Sequence, residues 1–192
     1  MFTLIFDGSP HKNGDTAEMI GAFVKELGGE VERIRAYELQ GKIAACVDCR
    51  ACWKTPGCAI KDGMQEIYEK IDRADVIVIA SPVYYSLLTG PLLSLMSRLQ
   101  CAYANRRFIG HRMFEKQKVG AVLLAGGGNG RPDPALEAAE TLLRCMRAKP
   151  MGSAMALKTD DVPAKADMQA LEAAAALAKR IKTEGNVGCR MC

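Results

Sequence analysis

Continuous apolar runs alternate with amphipathic stretches along most of the chain. Phe2 to Phe6 is apolar but for Thr3 and stops at Asp7-Gly8-Ser9; Met19, Ile20, Phe23, Val24 and Leu27 then fall at helical spacing within 16–27. This predicts a strand, a glycine turn and a helix, and the pattern recurs. Further strands are expected over 30–36, 76–80 and 119–125, with a weaker one over 151–157. Helices are expected over 63–73, 91–104 and 134–146, and an Ala-rich one over 164–182. Strands that alternate with helices and lack hairpin signals imply a parallel sheet covered on both faces, because parallel strands need crossover connections. The expected fold is therefore α/β: a doubly wound, five-stranded parallel sheet of order 2-1-3-4-5, since an eightfold barrel needs more chain. Residues 1–184 form one domain in this reading, with a cysteine-rich insertion over 44–61 and a loose tail over 185–192. Ligands of such sheets sit beyond the carboxyl ends of the strands, which directs attention to the loops after strands one, three and four.

Composition narrows the function class. A chain of 192 residues, 49% of them apolar, has no need of covalent staples, which excludes a small disulfide scaffold. Its apolar runs fall far short of the roughly 18 residues of a membrane span, and Met1–Phe6 lacks the basic start of a signal peptide. No membrane partner and a cytoplasmic location are the expectations. A net charge of +4 spread without a basic cluster, with 6% aromatic residues, argues against nucleic acid. Cysteine changes the picture: of eight, Cys46, Cys49, Cys52 and Cys58 fall within thirteen residues, which points to metal or redox chemistry.

The first loop, Gly8-Ser9-Pro10-His11-Lys12-Asn13-Gly14-Asp15-Thr16, has the outline of an anion cradle. Its glycines permit a tight turn, Ser9 and Thr16 can donate hydroxyls, and the helix that follows opens with unsatisfied amides. A Walker loop would end in Gly-Lys-Ser/Thr, so triphosphate hydrolysis is not expected. The structural alternative makes Asp15 a helix N-cap completed by Glu18, with no ligand. In the second loop Pro82-Val83-Tyr84-Tyr85 can wall a flat heterocycle, or present interface aromatics. In the third, Gly126-Gly127-Gly128-Asn129-Gly130 allows close backbone approach to a ligand, or forms a plain surface turn; it lacks the context of a dinucleotide fingerprint.

The spacing Cys46-x2-Cys49-x2-Cys52-x5-Cys58 places three sulfurs around one tight loop, as an iron-sulfur cluster requires. Zinc fits less well, because structural zinc sites more often pair two separated knuckles. Disulfides or packed thiols are the alternatives. Trp53 either shields such a centre or anchors its loop; Cys101 and Cys145 read as packing, and Cys189-x2-Cys192 as a dithiol spacing without a helix to activate it.

The first loop resembles the phosphate loop GSPRKxGNT of flavodoxin-like NAD(P)H-dependent FMN oxidoreductases, with His11 for the usual Arg and Asp15 for the usual Asn. Ser81-Pro82-Val83-Tyr84-Tyr85-Ser86-Leu87-Leu88-Thr89-Gly90 resembles the family's flavin loop SPVYFGxxTG, and the cysteine spacing resembles that of its iron-sulfur flavoprotein branch. The resemblance, which covers roughly residues 1–130, implies FMN held at its phosphate by Ser9, His11, Lys12, Asn13, Asp15 and Thr16 and at its ring by Pro82, Val83, Tyr84, Tyr85, Gly127 and Gly128. It also implies a [4Fe-4S] cluster on the four clustered cysteines, NAD(P)H as a co-substrate and no catalytic side chain. A redox partner protein or a small-molecule acceptor would complete the reaction, and assembly as a homodimer or a dimer of dimers is expected. The helix after Thr89, almost wholly apolar though it keeps Arg98, would suit burial against a second subunit. Two other readings stand: a cluster-free reductase of quinones, nitro or azo compounds, and a non-enzymatic metal-binding or scaffold domain that has lost flavin.

Overall fold

A computed structural model describes residues 1–128 and 130–188, the last four by backbone alone. Five strands, β1 (Phe2–Asp7), β2 (Glu30–Arg35), β3 (Val76–Pro82), β4 (Lys118–Gly126) and β5 (Ala148–Leu157), form one parallel sheet of order β2-β1-β3-β4-β5. This is the expected doubly wound order. The helices are α1 (Asp15–Leu27), α2 (Met64–Arg73), α3 (Gly90–Met96), α4 (Gln100–Ile109), α5 (Asp133–Cys145) and α6 (Met168–Gly188).

Side chains alternate across a strand, so β1, β3 and β4 supply both cores. Leu4, Phe6, Ile77, Ile79, Val122 and Leu124 pack on one face against Ile67 and Ile71 of α2, Leu92 and Leu95 of α3, and Leu143 of α5. Ile5, Val78, Ala80, Ala121 and Leu123 pack on the other against Met19, Ile20 and Phe23 of α1 and Ala174, Ala178 and Ile181 of α6. Edge strand β2 carries Glu30, Glu32, Arg33 and Arg35, charges that discourage pairing with a further strand.

Three elements differ from the pattern-based expectation. The helix expected over 91–104 is divided by a 3-10 turn at Ser97–Leu99, where Ser97 Oγ donates to the Ser94 carbonyl (2.6 Å) and competes with the α-helical ladder. Its apolar face is also largely covered by its own chain, because Leu92, Leu95, Met96 and Leu99 lie in the core; it does not offer the free face expected for a second subunit. The last helix starts at Met168, after a separate 3-10 turn at Ala164–Ala166, because Asp167 accepts the Ala170 amide (3.0 Å) and caps it there. It then continues to Gly188 through part of the segment expected as a tail, since one Gly costs a helix only about 1 kcal/mol relative to Ala. Cys189 and Cys192 lie outside the described residues. Among the described residues no helix is long and apolar enough to cross a membrane.

Lys118 opens β4 nearly inaccessible to solvent, with Nζ 2.6 Å from the Lys116 carbonyl and 3.7 Å from Asp72 Oδ1. Burial, opposed by Asp72, pushes its pKa down to about 8. Between that value and the ordinary 10.5 the unfolded chain binds more protons, so this lysine makes stability rise with pH across that window. Burial of the Cys101 thiol and the Tyr68 hydroxyl raises both pKa values and gives the opposite slope at alkaline pH, so the lysine is isolated by comparison. Lys118→Met is expected to be more stable than wild type at pH 7 by about 1–3 kcal/mol, with the gap closing towards pH 10. Urea unfolding of both proteins across that range checks this; a gap that does not change with pH contradicts it.

Candidate functional site

The loops after β1, β3 and β4 meet at the carboxyl edge of the sheet. The Gly8 amide donates to the Ala80 carbonyl (2.8 Å), and Thr89 Oγ1 donates to the Gly8 carbonyl (2.8 Å). A Cβ on Gly8 would lie 2.8–2.9 Å from Thr89 Oγ1, Leu92 Cδ2 and Ser81 Oγ, so only glycine allows this approach. The Val83 amide donates to the Ala125 carbonyl (2.7 Å), which brings the second loop against the third.

Gly14 is the N-cap of α1, without a side-chain cap. Asp15 instead accepts the Ala164 amide on Oδ1 (2.7 Å), so the alternative of an Asp15–Glu18 capping box is not realised: Asp15 is already inside the helix. Its carboxylate is spent away from the loop. The amides of Lys12, Asn13, Gly14, Asp15 and Thr16 find no acceptor among the described residues, the condition for an anion seat at a helix N-terminus. Thr16 is buried at its base. Ser9 is buried and its hydroxyl shapes the loop, donating to the His11 carbonyl (3.1 Å) and accepting the His11 amide (3.2 Å). His11, Lys12 and Asn13 are exposed, and Lys12 lies 3.6 Å from Glu38.

The pattern-based analysis missed what lies beneath this loop. Asp7, fully buried, accepts the Ser9 amide on Oδ1 (2.8 Å), while its Oδ2 lies 2.7 Å from Arg33 Nη2 and 3.2 Å from Arg35 Nε. Arg35 also donates to the carbonyls of Ser9 (3.3 Å) and Pro10 (3.5 Å) and to Glu38 (2.9 Å). The loop thus rests on the Arg35 guanidinium, which Asp7 and Glu38 hold in place from either side. A carboxylate ending an apolar strand, with arginines two apart on the next predicted strand, was the available signal.

In the second loop Tyr84 and Leu87 exchange both backbone hydrogen bonds (2.9 Å each), and Tyr85 and Ser86 take positive φ of 52° and 65°. This is a tight hairpin turn of the I′ class, in which such backbone angles are strained for residues other than glycine or asparagine. It leaves Tyr85 fully exposed and Tyr84 half-exposed beside Tyr37, whose hydroxyl pKa is raised by burial and then by Tyr84. The amides of Val83 and Tyr84 are engaged within the protein and Pro82 has none, whereas the amides of Tyr85 and Ser86 at the tip of the turn find no acceptor among the described residues. In the third loop Gly128 faces open space, whereas a Cβ on Gly127 would lie 2.6 Å from the Asp160 carboxylate, an acidic neighbour supplied by the loop after β5.

The cysteine loop lies against α4. Asn105, fully buried, donates to the carbonyls of Cys52 (2.6 Å) and Thr55 (3.1 Å) and accepts the Gly57 amide (2.7 Å). Trp53 stacks on Phe108 with ring centroids 4.1 Å apart, which makes it an anchor, and the Cys46 amide donates to Ser97 Oγ (2.9 Å). Cys46, Cys49, Cys52 and Cys58 line one recess, with Cys101 and Arg98 in its wall; the four loop thiols, Cys101 and Cys145 are all free of disulfides. Burial pushes the Cys52 thiol up, and the thiols of Cys58, Cys46 and Cys49 push it further. Among the described residues no three His, Cys, Asp or Glu converge closely enough to hold a single metal ion.

The sequence profile of the family described as NADPH-dependent FMN reductase matches residues 1–161. The chain belongs to this family. Members use flavin mononucleotide, a phosphate-bearing group for which the amides of the first loop without protein acceptors offer hydrogen-bond donors. An iron-sulfur flavoprotein of Archaeoglobus fulgidus is 29% identical over 177 residues, covering 91% of this chain and 76% of the relative. One from Methanosarcina thermophila is 36% identical over 123 residues, or 62% of this chain and 60% of the relative. Solved structures share the fold at low identity. The NAD(P)H:quinone oxidoreductase of Methanothermobacter marburgensis superposes with a TM-score of 0.68 at 16% identity, covering 95% of this chain and 96% of the other. The FMN-dependent NADH-azoreductase of Bacillus anthracis, in complex with FMN, does so at 0.65 and 14%, covering 95% and 100%.

Thr89→Val keeps the shape of the side chain and leaves the buried Gly8 carbonyl without its side-chain donor. A loss of about 1–2 kcal/mol in urea unfolding and a several-fold weaker FMN affinity by fluorescence quenching are expected. Unchanged FMN affinity would mean that this tie does not shape the loop.

Proposed function

We propose that this FMN-dependent oxidoreductase carries a [4Fe-4S] cluster on Cys46, Cys49, Cys52 and Cys58 and moves electrons between that cluster and FMN. The observation that carries the reading is the recess itself: four disulfide-free thiols gathered by contacts from Ser97, Arg98 and Asn105. The names of the iron-sulfur flavoprotein relatives support it.

The chain's own residues bind and orient. Amides of residues 12–16 would receive the FMN phosphate over the Arg35 platform, with Asp15 held off by Ala164. Tyr84 and the Gly127–Gly128 backbone would border the ring, with the free amides of Tyr85 and Ser86 as donors to its polar edge. Bound flavin supplies hydride acceptance and single-electron release. The Cys52 thiol, whose pKa burial and the neighbouring thiols raise, would give up its proton on metal binding, which makes loading favour higher pH. NAD(P)H is the reductant proposed from the family, and a redox partner protein or a small-molecule acceptor takes the electrons.

The reading of a domain that has lost flavin rested on repulsion between Asp15 and a phosphate, and the turn of that carboxylate to Ala164 removes its basis. Anaerobic purification followed by a visible spectrum with iron, sulfide and FMN assays tests the proposal. Iron and acid-labile sulfide in equal amounts beside FMN are expected, and Cys52→Ser should lose both while retaining FMN. Iron-free protein that consumes NADPH with a quinone selects the cluster-free reductase instead.

A further inference from the structure

Arg98 lies at the junction of α3 and α4, 1% exposed, with every hydrogen bond of its guanidinium directed at the ends of the cysteine loop. Nη1 donates to the Ala44 carbonyl (2.9 Å) and to Asp62 Oδ2 (2.8 Å), and Nη2 donates to the Ile60 carbonyl (3.0 Å). The guanidinium thereby pins both the entry and the exit of the loop. Nε is left over: it is buried and has no hydrogen-bond partner. Two other described side-chain atoms share that condition, and neither is at the recess. Thr3 Oγ1 is in β1, and Arg33 Nη2 lies 2.7 Å from the Asp7 carboxylate, paired in charge though not aligned for a hydrogen bond.

A buried N–H without an acceptor costs on the order of 1–3 kcal/mol, and buried polar groups in folded proteins are nearly always paired, so this one calls for an acceptor. Arg98 forms part of the wall of the recess ringed by Cys46, Cys49, Cys52 and Cys58. Sulfur is the acceptor chemistry concentrated there.

We propose that Arg98 is a positioning residue that donates Nε–H to a thiolate or sulfide sulfur of the metal centre and thereby raises its reduction potential. This rests on the cluster reading above. Asp62 sits 2.8 Å from the same guanidinium and offsets its charge, so the net field at the recess is small and the directed N–H is the larger contribution. An electron added to a thiolate-bound cluster increases negative charge on its sulfurs, and a hydrogen bond to sulfur stabilises that reduced form more than the oxidised one.

The test uses full-length, anaerobically purified protein and its Arg98→Lys variant, which keeps a cation able to reach Asp62 but has no Nε–H. Iron, sulfide and FMN are assayed first. Each protein is then titrated with dithionite and followed by EPR, and the reduced centre is examined by pulsed EPR after exchange into deuterium oxide. Wild type is expected to show a coupled exchangeable deuteron. Arg98→Lys is expected to retain iron and FMN, lose that coupling and become about tenfold harder to reduce, which is about 59 mV for one electron. An iron-replete variant with unchanged coupling and potential overturns the assignment while leaving the cluster reading intact. Absence of any exchangeable coupling in wild type overturns it even if the variant fails to fold. Iron-free wild type overturns both.

Discussion

At Gly8 the first strand leaves the sheet through a space already filled by Ser81, Thr89 and Leu92. The backbone passes because it carries no side chain there, and Thr89 holds it by donating its hydroxyl to the Gly8 carbonyl. The carboxyl ends of β1 and β3 are thereby held side by side, and the loops that continue from them inherit a fixed spacing. From β3 the Val83 amide reaches Ala125, and from β4 the carbonyls of Gly126 and Gly127 accept the amides of Thr159 and Asp160. One line of backbone contacts runs across the whole edge, so the candidate flavin site is built on strand ends rather than on free loops.

The cysteine-rich segment follows a different design. It has no sheet to rest on and little apolar surface of its own, so its shape is imposed from outside by α4 and the turn that precedes it. Ser97, Arg98 and Asn105 satisfy backbone groups of the loop that would otherwise lack partners, and Phe108 takes the Trp53 ring. Three of these four residues act through polar contacts to main chain, which constrain a path whatever side chains it bears.

The layered architecture was legible in the chain because the strands of a sheet buried on both faces read as apolar runs, and glycine-rich turns mark their carboxyl ends. The motifs at Gly8–Thr16, Ser81–Gly90 and Cys46–Cys58 were legible for the same reason: each is contiguous. Contacts that depend on register or on distant partners were not. Asp7 meets Arg33 and Arg35 only because β1 and β2 pair Asp7 with Arg35. Asp15 carries the same side chain whether it caps its own helix or reaches Ala164, and Arg98 reads as an ordinary charge in an apolar helix until the loop folds over it.

The tie between Asp15 and Ala164 makes the first loop depend on a distant part of the chain. The carboxylate stands at the start of α1, while the amide that donates to it lies 149 residues further on. Without that segment, the acidic group is free to occupy the amides of its own loop and to turn an incoming phosphate away. The phosphate seat at the start of α1 is thus tied to a segment that follows β5.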